Sequence, residues 1–199
     1  RPVWRNEYQN RTASGIDIMI ALDVSLSMDI DDFVDFGERA RRIDVAKQVV
    51  DDFISRRPDD RIGLVAFAGR PRDASPITLD HKWLRNALSE VRLNDKENRG
   101  TIKEQGTAIG SALSAAATRL DSRDAKSKVI VLITDGEDLE ASGVIAAREA
   151  AEEGIRIFTV GVGGKSGELI PIRTPQGGQD FVRDASGNLV RSALDEDTL

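Results

Sequence analysis

The stretch Ile16-Asp-Ile-Met-Ile-Ala-Leu-Asp23-Val-Ser25-Leu26-Ser27 decides how this chain is read. Its apolar part is too continuous for a strand with one wet face and too short for an ordinary helix. It predicts a strand buried on both faces, as in a parallel sheet covered by helices. Asp23, Ser25 and Ser27 then fall at the strand's carboxyl end, where open α/β sheets bind ligands. One carboxylate and two hydroxyls at a spacing of two can converge, and continued strand alternation would itself place 23, 25 and 27 on one side. They are hard oxygen donors suited to Mg2+ or Mn2+. The competing reading is that Asp and Ser only end the strand and cap the next segment.

Two later segments favour the metal reading. Gly106-Thr107-Ala-Ile-Gly110 opens a helix, and Thr134-Asp135-Gly136 closes another buried strand. Both fall at loops that a doubly wound sheet sets beside the first. The candidate metal ligands are Asp23, Ser25, Ser27, Thr107 and Asp135. Their neighbours Leu26, Met28, Gly106 and Gly136 are candidates for the rim that a ligand would touch. Hydroxyls are weak neutral ligands and only two carboxylates are present, so an ion held here keeps positive character and room for an acidic group from outside. That suits recognition, whereas metal hydrolases surround their ions with several Asp, Glu or His ligands.

Composition narrows the field. A chain of 199 residues with 40% hydrophobic and 31% charged residues is one globular domain with a real core. A net charge of −6 argues against a nucleic-acid or anionic-membrane surface. With no cysteine, disulfides, zinc thiolates and thiol catalysis are excluded, and His81 alone cannot build a Ser-His or multi-His site. No run approaches the ~20 apolar residues of a membrane span. The chain lacks an initiator Met and a signal peptide, which is expected of a piece of a longer protein.

Residues 1–15 read as a polar lead-in arm with Trp4 and Tyr8 as anchors, and 16–199 as a single domain. An acidic insert over 29–38, followed by Arg39, Arg41 and Arg42, lacks the regular alternation and closing Glu of an EF-hand loop. It is expected to be a solvated loop on the rim beside Ser27. Ile43, Ala46, Val49, Val50, Phe53 and Ile54 predict an amphipathic helix over 43–56. Residues 61–67 predict a second buried strand, followed by a loop with a short extended piece between Pro71 and Pro76. Asp80 is expected to cap a helix whose inner face carries Leu84, Ala87, Leu88 and Val91. Thr107 begins a third helix, 127–134 a strand, 142–153 a helix stopped by Gly154, and 155–160 a further strand. This alternation predicts an α/β, doubly wound, mostly parallel sheet flanked by helices. Residues 164–193 form a Gly-rich, hairpin-like extension with a turn at Ala185–Asn188, and Leu194-Asp195 should open a helix.

Three other features do not carry chemistry. Gly161-Val-Gly-Gly-Lys165-Ser166 fails as a P-loop because Thr159 stands where its first Gly belongs. Asp23 is not the first Asp of a haloacid-dehalogenase pair, since Ser25 replaces the second. His81 should only pack against or cap the second helix.

With these residues placed, the sequence resembles a von Willebrand factor A domain through Asp23-x-Ser25-x-Ser27, Thr107 and Thr134-Asp135-Gly136. The resemblance implies a Rossmann-like fold with a metal-ion-dependent adhesion site, usually holding Mg2+. It implies direct ligation by the two serines, ligation by the Thr directly or through water, and largely water-mediated contact from the Asp residues. A partner's Asp or Glu completes such a site. Within the family the chain is most similar to the bacterial Bat (aerotolerance-type) proteins. The segments that carry this are 15–23, Asp60-Arg-Ile-Gly-Leu-Val-Ala-Phe-Ala-Gly69, Ile77-Thr-Leu-Asp80, 105–110, 126–136 and 154–163. Leu169-Ile-Pro171 and Arg183-Asp-Ala-Ser-Gly-Asn188 look like the BatB branch. This implies a protein anchored in the bacterial inner membrane with its domain facing the periplasm. It also implies association with other Bat proteins and a MoxR-type AAA ATPase. Leu26 stands where Gly is common, the insert after Met28 is long, and the family's last strand is truncated. The expected function is metal-dependent protein–protein recognition, not catalysis. A hydrolase or chelatase-type component would need a positioned base, for which only Glu137 and Asp138 offer themselves, and both are expected to cap the next helix. A structural domain with a vestigial site is the third option.

Overall fold

Strand β1 (Asp17–Asp23) runs through the middle of a five-stranded sheet, and every one of its residues is buried. Only a strand covered on both faces tolerates an uninterrupted apolar run. The computed structural model describes residues 15–35, 37–93, 100–121, 125, 127–136, 142–164, 167–173, 178–184 and 186–195. The lead-in arm with Trp4 and Tyr8, the Lys165-Ser166 pair, and Glu137 with Asp138 lie outside them.

A 3-10 turn (Leu26–Asp29) follows β1, then a small antiparallel hairpin of β2 (Phe33–Asp35) and β3 (Glu38–Ala40). Helix α1 is Arg42–Ser55, β4 is Arg61–Phe67, β5 is Pro71–Thr78 and α2 is His81–Glu90. Helix α3 (Ile109–Asp121), β6 (Lys128–Thr134), α4 (Gly143–Glu152) and β7 (Ile155–Gly161) complete the main layers. The strand order is β5-β4-β1-β6-β7, parallel from β4 to β7, with β5 antiparallel at one edge. Both neighbours of β1 are reached by crossovers, so the loops after β1, β4 and β6 share the sheet's carboxyl edge. The fold is the doubly wound α/β architecture that the sequence predicts.

One face of the sheet packs Ile18, Ile20 and Leu22 under α1 and α2, whose Ile43, Val50, Ile54, Leu84 and Leu88 interdigitate with it. The opposite face packs Met19, Ala21, Val65 and Phe67 under α3 and α4. Alanines 112, 116 and 117 are buried on α3 and let its axis lie close to the strands. Asp80 caps α2 by accepting a hydrogen bond from the Trp83 amide at 3.0 Å. Gly154 ends α4 with a φ of 75° that favours glycine.

Several expectations are corrected. The piece between Pro71 and Thr78 is a full edge strand. Its prolines, bulges and half-wet side chains hide it from a pattern search. Helix α3 starts at Ile109, two residues after Thr107. Val49 is 46% exposed rather than inward, because it borders an apolar groove of about 410 Å3 with Phe53, Val131, Phe158 and Val160. The acidic insert is not simply solvated: it forms the β2/β3 hairpin, and Asp29 and Asp32 pair with Arg41 and Arg42. Ser142 precedes α4, and the expected caps Glu137 and Asp138 lie outside the described residues. His81 is the first residue of α2, with Nε2 2.9 Å from the Asp60 carbonyl.

The extension is a pair of nested antiparallel ribbons. Strand β9 (Pro171–Arg173) pairs with β10 (Gln179–Phe181), and β8 (Glu168–Leu169) pairs with β11 (Arg191–Ser192). Residues 193–195 are not helical; they run across the loop after β6, where the Asp195 amide donates to the Asp135 carbonyl at 2.9 Å.

Candidate metal centre

Asp23 ends β1 with its carboxylate fully buried. Its Oδ1 accepts from the Ser25 amide at 2.8 Å, and its Oδ2 accepts from the Thr134 hydroxyl at 2.6 Å. Thr134 in turn accepts from the Gly136 amide at 3.1 Å. The first and third loops of the site are therefore tied together through Thr134. The chain then turns: Ser25 precedes the 3-10 turn, and the Met28 and Ile30 amides bond back to the Ser25 and Ser27 carbonyls.

This corrects the route by which the two serines converge. Strand alternation does not continue past Asp23; the 3-10 turn brings their hydroxyls to 3.0 Å from each other. Ser25 occupies the cap position of that turn, yet its hydroxyl makes no capping hydrogen bond. Both hydroxyls are buried and keep lone pairs for a further partner. Capping therefore does not account for them.

Thr107 is 5% exposed, on the loop that leads into α3. That loop is pinned to the end of β4: the Ala108 amide donates to the Ala68 carbonyl at 2.8 Å, and the Gly69 amide to the Glu104 carbonyl at 3.0 Å. Gly69 is glycine by necessity, since a Cβ there would sit 2.3 Å from the Gln105 carbonyl oxygen. Asp23, Ser25, Ser27, Thr107 and Asp135 thus all lie, buried, on three loops at one edge of the sheet.

The four rim candidates divide. Leu26 and Gly106 are partly exposed and fit a rim. Met28 does not: it is fully buried in the core under α1, because the 3-10 turn rotates it inward. Gly136 does not either, since residue 195 covers it; a Cβ at Gly136 would lie 2.5 Å from the Asp195 carbonyl oxygen.

Asp135 is fully buried, and its Oδ1 has no hydrogen-bond partner among the described residues. Its Oδ2 accepts from Arg42 Nη1 at 3.0 Å and from the Ser192 hydroxyl at 3.1 Å. Burial pushes the Asp23 carboxyl up to about 7, and the nearby Asp135 charge adds to this, against the hydrogen bonds from Ser25 and Thr134. Two buried carboxylates without enough positive charge, one with an orphaned oxygen, fit a cation. Among the described residues no cluster of three or more His, Cys, Asp or Glu side chains could hold a metal. Any ion here must rely on the serine and threonine hydroxyls, the donor set of a hard dication.

Four contributors escaped the sequence reading: Thr134, Arg42, Asp32 and Ser192. Thr134 lies inside the Thr134-Asp135-Gly136 motif, whose pattern does not show its hydrogen bond to Asp23. Arg42 carried one signal, a cation at the first position of a helix, where the backbone dipole disfavours it. Asp32 was hidden in a run of acids, and Ser192 had no local signal at all.

Comparison with known proteins agrees with this geometry. The sequence profile of the von Willebrand factor type A domain matches residues 17–191. An uncharacterized protein of Borreliella burgdorferi is 32% identical over 155 residues, 76% of this chain and 42% of that protein. A UPF0353 protein of Mycolicibacterium paratuberculosis is 32% identical over 202 residues, 88% of this chain and 58% of that protein. The chain spans about half the length of these curated relatives. An aerotolerance-related membrane protein from Bacteroides fragilis superposes with a TM-score of 0.80 at 34% identity, covering 92% of this chain and 84% of that one. BatB from Bacteroides thetaiotaomicron gives 0.80 at 33%, covering 92% and 83%. At 15% identity and a TM-score of 0.56, manganese-loaded TRAP protein from Plasmodium vivax shares the fold over 75% of this chain and 58% of that one.

Proposed function

The chain belongs to the von Willebrand factor type A domain family, and from that premise we propose that it is a metal-dependent protein-recognition domain. Asp23, Ser25, Ser27, Thr107 and Asp135 would hold the ion, Mg2+ or Mn2+. When bound, the ion supplies a Lewis-acidic position that an Asp or Glu of a partner completes. The observation that carries the reading is Asp135 Oδ1, a buried carboxylate oxygen with no hydrogen-bond partner among the described residues. The manganese in the Plasmodium vivax protein supports a divalent ion in this fold. The side chains do the rest: Thr134 and the Ser25 amide fix Asp23, and the 3-10 turn turns two hydroxyls to the same point. Two carboxylates and neutral hydroxyls leave a bound ion its positive character and room for an outside carboxylate, which favours binding over catalysis.

The setting follows the relatives. Similarity to an aerotolerance-related membrane protein supports a membrane setting; on this reading the domain is held at the bacterial inner membrane and faces the periplasm. No helix among the described residues is long and apolar enough to cross a membrane. The partners on this reading are proteins that offer a carboxylate, among them other Bat proteins, with a MoxR-type AAA ATPase in functional association.

Thermal melting in EDTA against Mg2+ and Mn2+ tests this. A ligand bound only by the folded state adds about 2.7 kcal/mol at a hundredfold excess over its Kd. The wild type should show a saturable rise and Asp135→Ala none. Equal melting in both rejects the site, and Mg2+-dependent turnover of a phosphate ester that Asp135→Ala abolishes rejects recognition as the whole function.

A further inference from the structure

Arg42 is the largest of the fully buried side chains, and its guanidinium joins three separate parts of the chain. Nε donates to both Asp32 oxygens at 3.1 Å, and Nη2 donates to Asp32 Oδ2 at 2.7 Å. Nη1 donates to Asp135 Oδ2 at 3.0 Å and to the Ser192 hydroxyl at 2.9 Å, and Nη2 reaches the Ser192 carbonyl at 3.3 Å. The Ser192 hydroxyl donates a hydrogen bond to Asp135 Oδ2. One oxygen of Asp135 thus receives two hydrogen bonds while Oδ1 receives none among the described residues.

Charge alone does not require this arrangement. Asp32 already offsets the guanidinium, and the Gly164 amide at 3.0 Å from Asp32 Oδ2 helps hold its carboxyl below the usual range against the opposing effect of burial. With Asp32 and Arg42 cancelling, Asp23 and Asp135 remain the two carboxylates available to match a dication. The contact to Asp135 adds direction rather than neutrality. A planar fork suits that task, because it fixes which carboxylate oxygen is engaged. The chain makes room for it: at Gly163, with φ of 139°, a Cβ would stand 2.8 Å from Arg42 Cζ.

The same fork ties the site to the tail. Ser192 lies on β11, and residue 195 is bonded to the Asp135 carbonyl and covers Gly136. We propose that Arg42, with Ser192, is a positioning residue that aims Asp135 Oδ1 into the metal site and thereby couples metal binding to the seating of tail residues 192–195. This rests on the metal reading above. Linkage is reciprocal: an ion that favours the aimed carboxylate tightens the tail, and loosening the tail weakens the ion by the same factor.

The test is calorimetric titration of Mn2+ into the intact chain, as wild type, Arg42→Met, Arg42→Lys and Ser192→Ala. Amide hydrogen exchange at Leu194 and Asp195 is followed with Mn2+ and with EDTA. Arg42→Met should weaken Mn2+ about 10- to 100-fold, the usual effect of losing a group that orients a ligand. Arg42→Lys should stay weakened, since a compact ammonium lacks the planar fork that spans Asp32, Asp135 and Ser192. Ser192→Ala should lose less, and Mn2+ should slow exchange at Asp195. Folded Arg42→Met or Ser192→Ala binding as tightly as the wild type overturns the inference while leaving the metal reading intact. Unchanged exchange at Asp195 does the same. A wild type that binds no Mn2+ overturns both. Should Arg42→Met fail to fold, Ser192→Ala and the exchange measurement decide.

Discussion

The pH dependence of stability should reveal the buried charge of Asp23. Its carboxyl is raised from 3.8 to about 7, first by burial and then by Asp135. The folded protein is therefore the stronger proton binder. Below the unfolded value both states carry the proton, and the contribution is complete. As pH climbs from about 4 to about 7, the unfolded chain has released its proton while the folded chain keeps it, so stability falls with rising pH. At about 1.4 kcal/mol for each pH unit, the whole rise amounts to about 4 kcal/mol. Urea denaturation in EDTA should show the wild type losing about 3 kcal/mol between about pH 5 and about pH 8. Asp23→Asn has no proton to release and should lose this slope while keeping the acceptor for the Ser25 amide. With saturating Mg2+ the decline should flatten, because the ion and the proton compete for the same charge. A slope in EDTA that persists in Asp23→Asn would refute the reasoning, as would a wild type equally stable at both pH values.

Other perturbations test the local geometry. Gly136→Ala forces a side chain into φ of 87° and against the Asp195 carbonyl; it should cost at least about 1–2 kcal/mol in chemical denaturation, and a neutral result would mean the tail does not lie on this loop. Leu84→Ala removes a fully buried anchor of α2 and should lower stability by about 2–5 kcal/mol. Asp80→Ala removes the cap on the Trp83 amide and should cost about 1 kcal/mol, with no change in metal affinity; an affinity change would show that α2 communicates with the site.

Most of the fold was legible because its determinants are local. The buried strands 17–23, 61–67 and 128–134 announce themselves as apolar runs bounded by turns, and three of the main helices by apolar residues three and four apart. Strand β5 is an edge element whose prolines and half-exposed side chains give neither an apolar run nor an alternation. The five residues were legible as candidates because each stands in a short polar stretch just at or after the end of β1 or β6, or just before α3. The manner of their convergence was not. A 3-10 turn carries no distinctive spacing, so Met28 read as rim when it is core. The Arg42 network was illegible for a different reason: Arg42 and Ser192 stand 150 residues apart, and only the folded sheet brings them to Asp135. The helix expected to open at Leu194-Asp195 does not begin within residues 193–195, where the Leu194 amide bonds to the Gly164 carbonyl and the Asp195 amide to the Asp135 carbonyl; residues 196–199 lie outside the described residues.

Direct titration of Mn2+, followed by its paramagnetic resonance at about pH 8 where Asp23 is ionised, tests the central claim. The wild type should bind one ion per chain, and Ser27→Ala should bind it far more weakly while melting in EDTA as the wild type does. Equal Mn2+ affinity in the two proteins would contradict the account, because the hydroxyl pair at 3.0 Å would then not be part of a metal site.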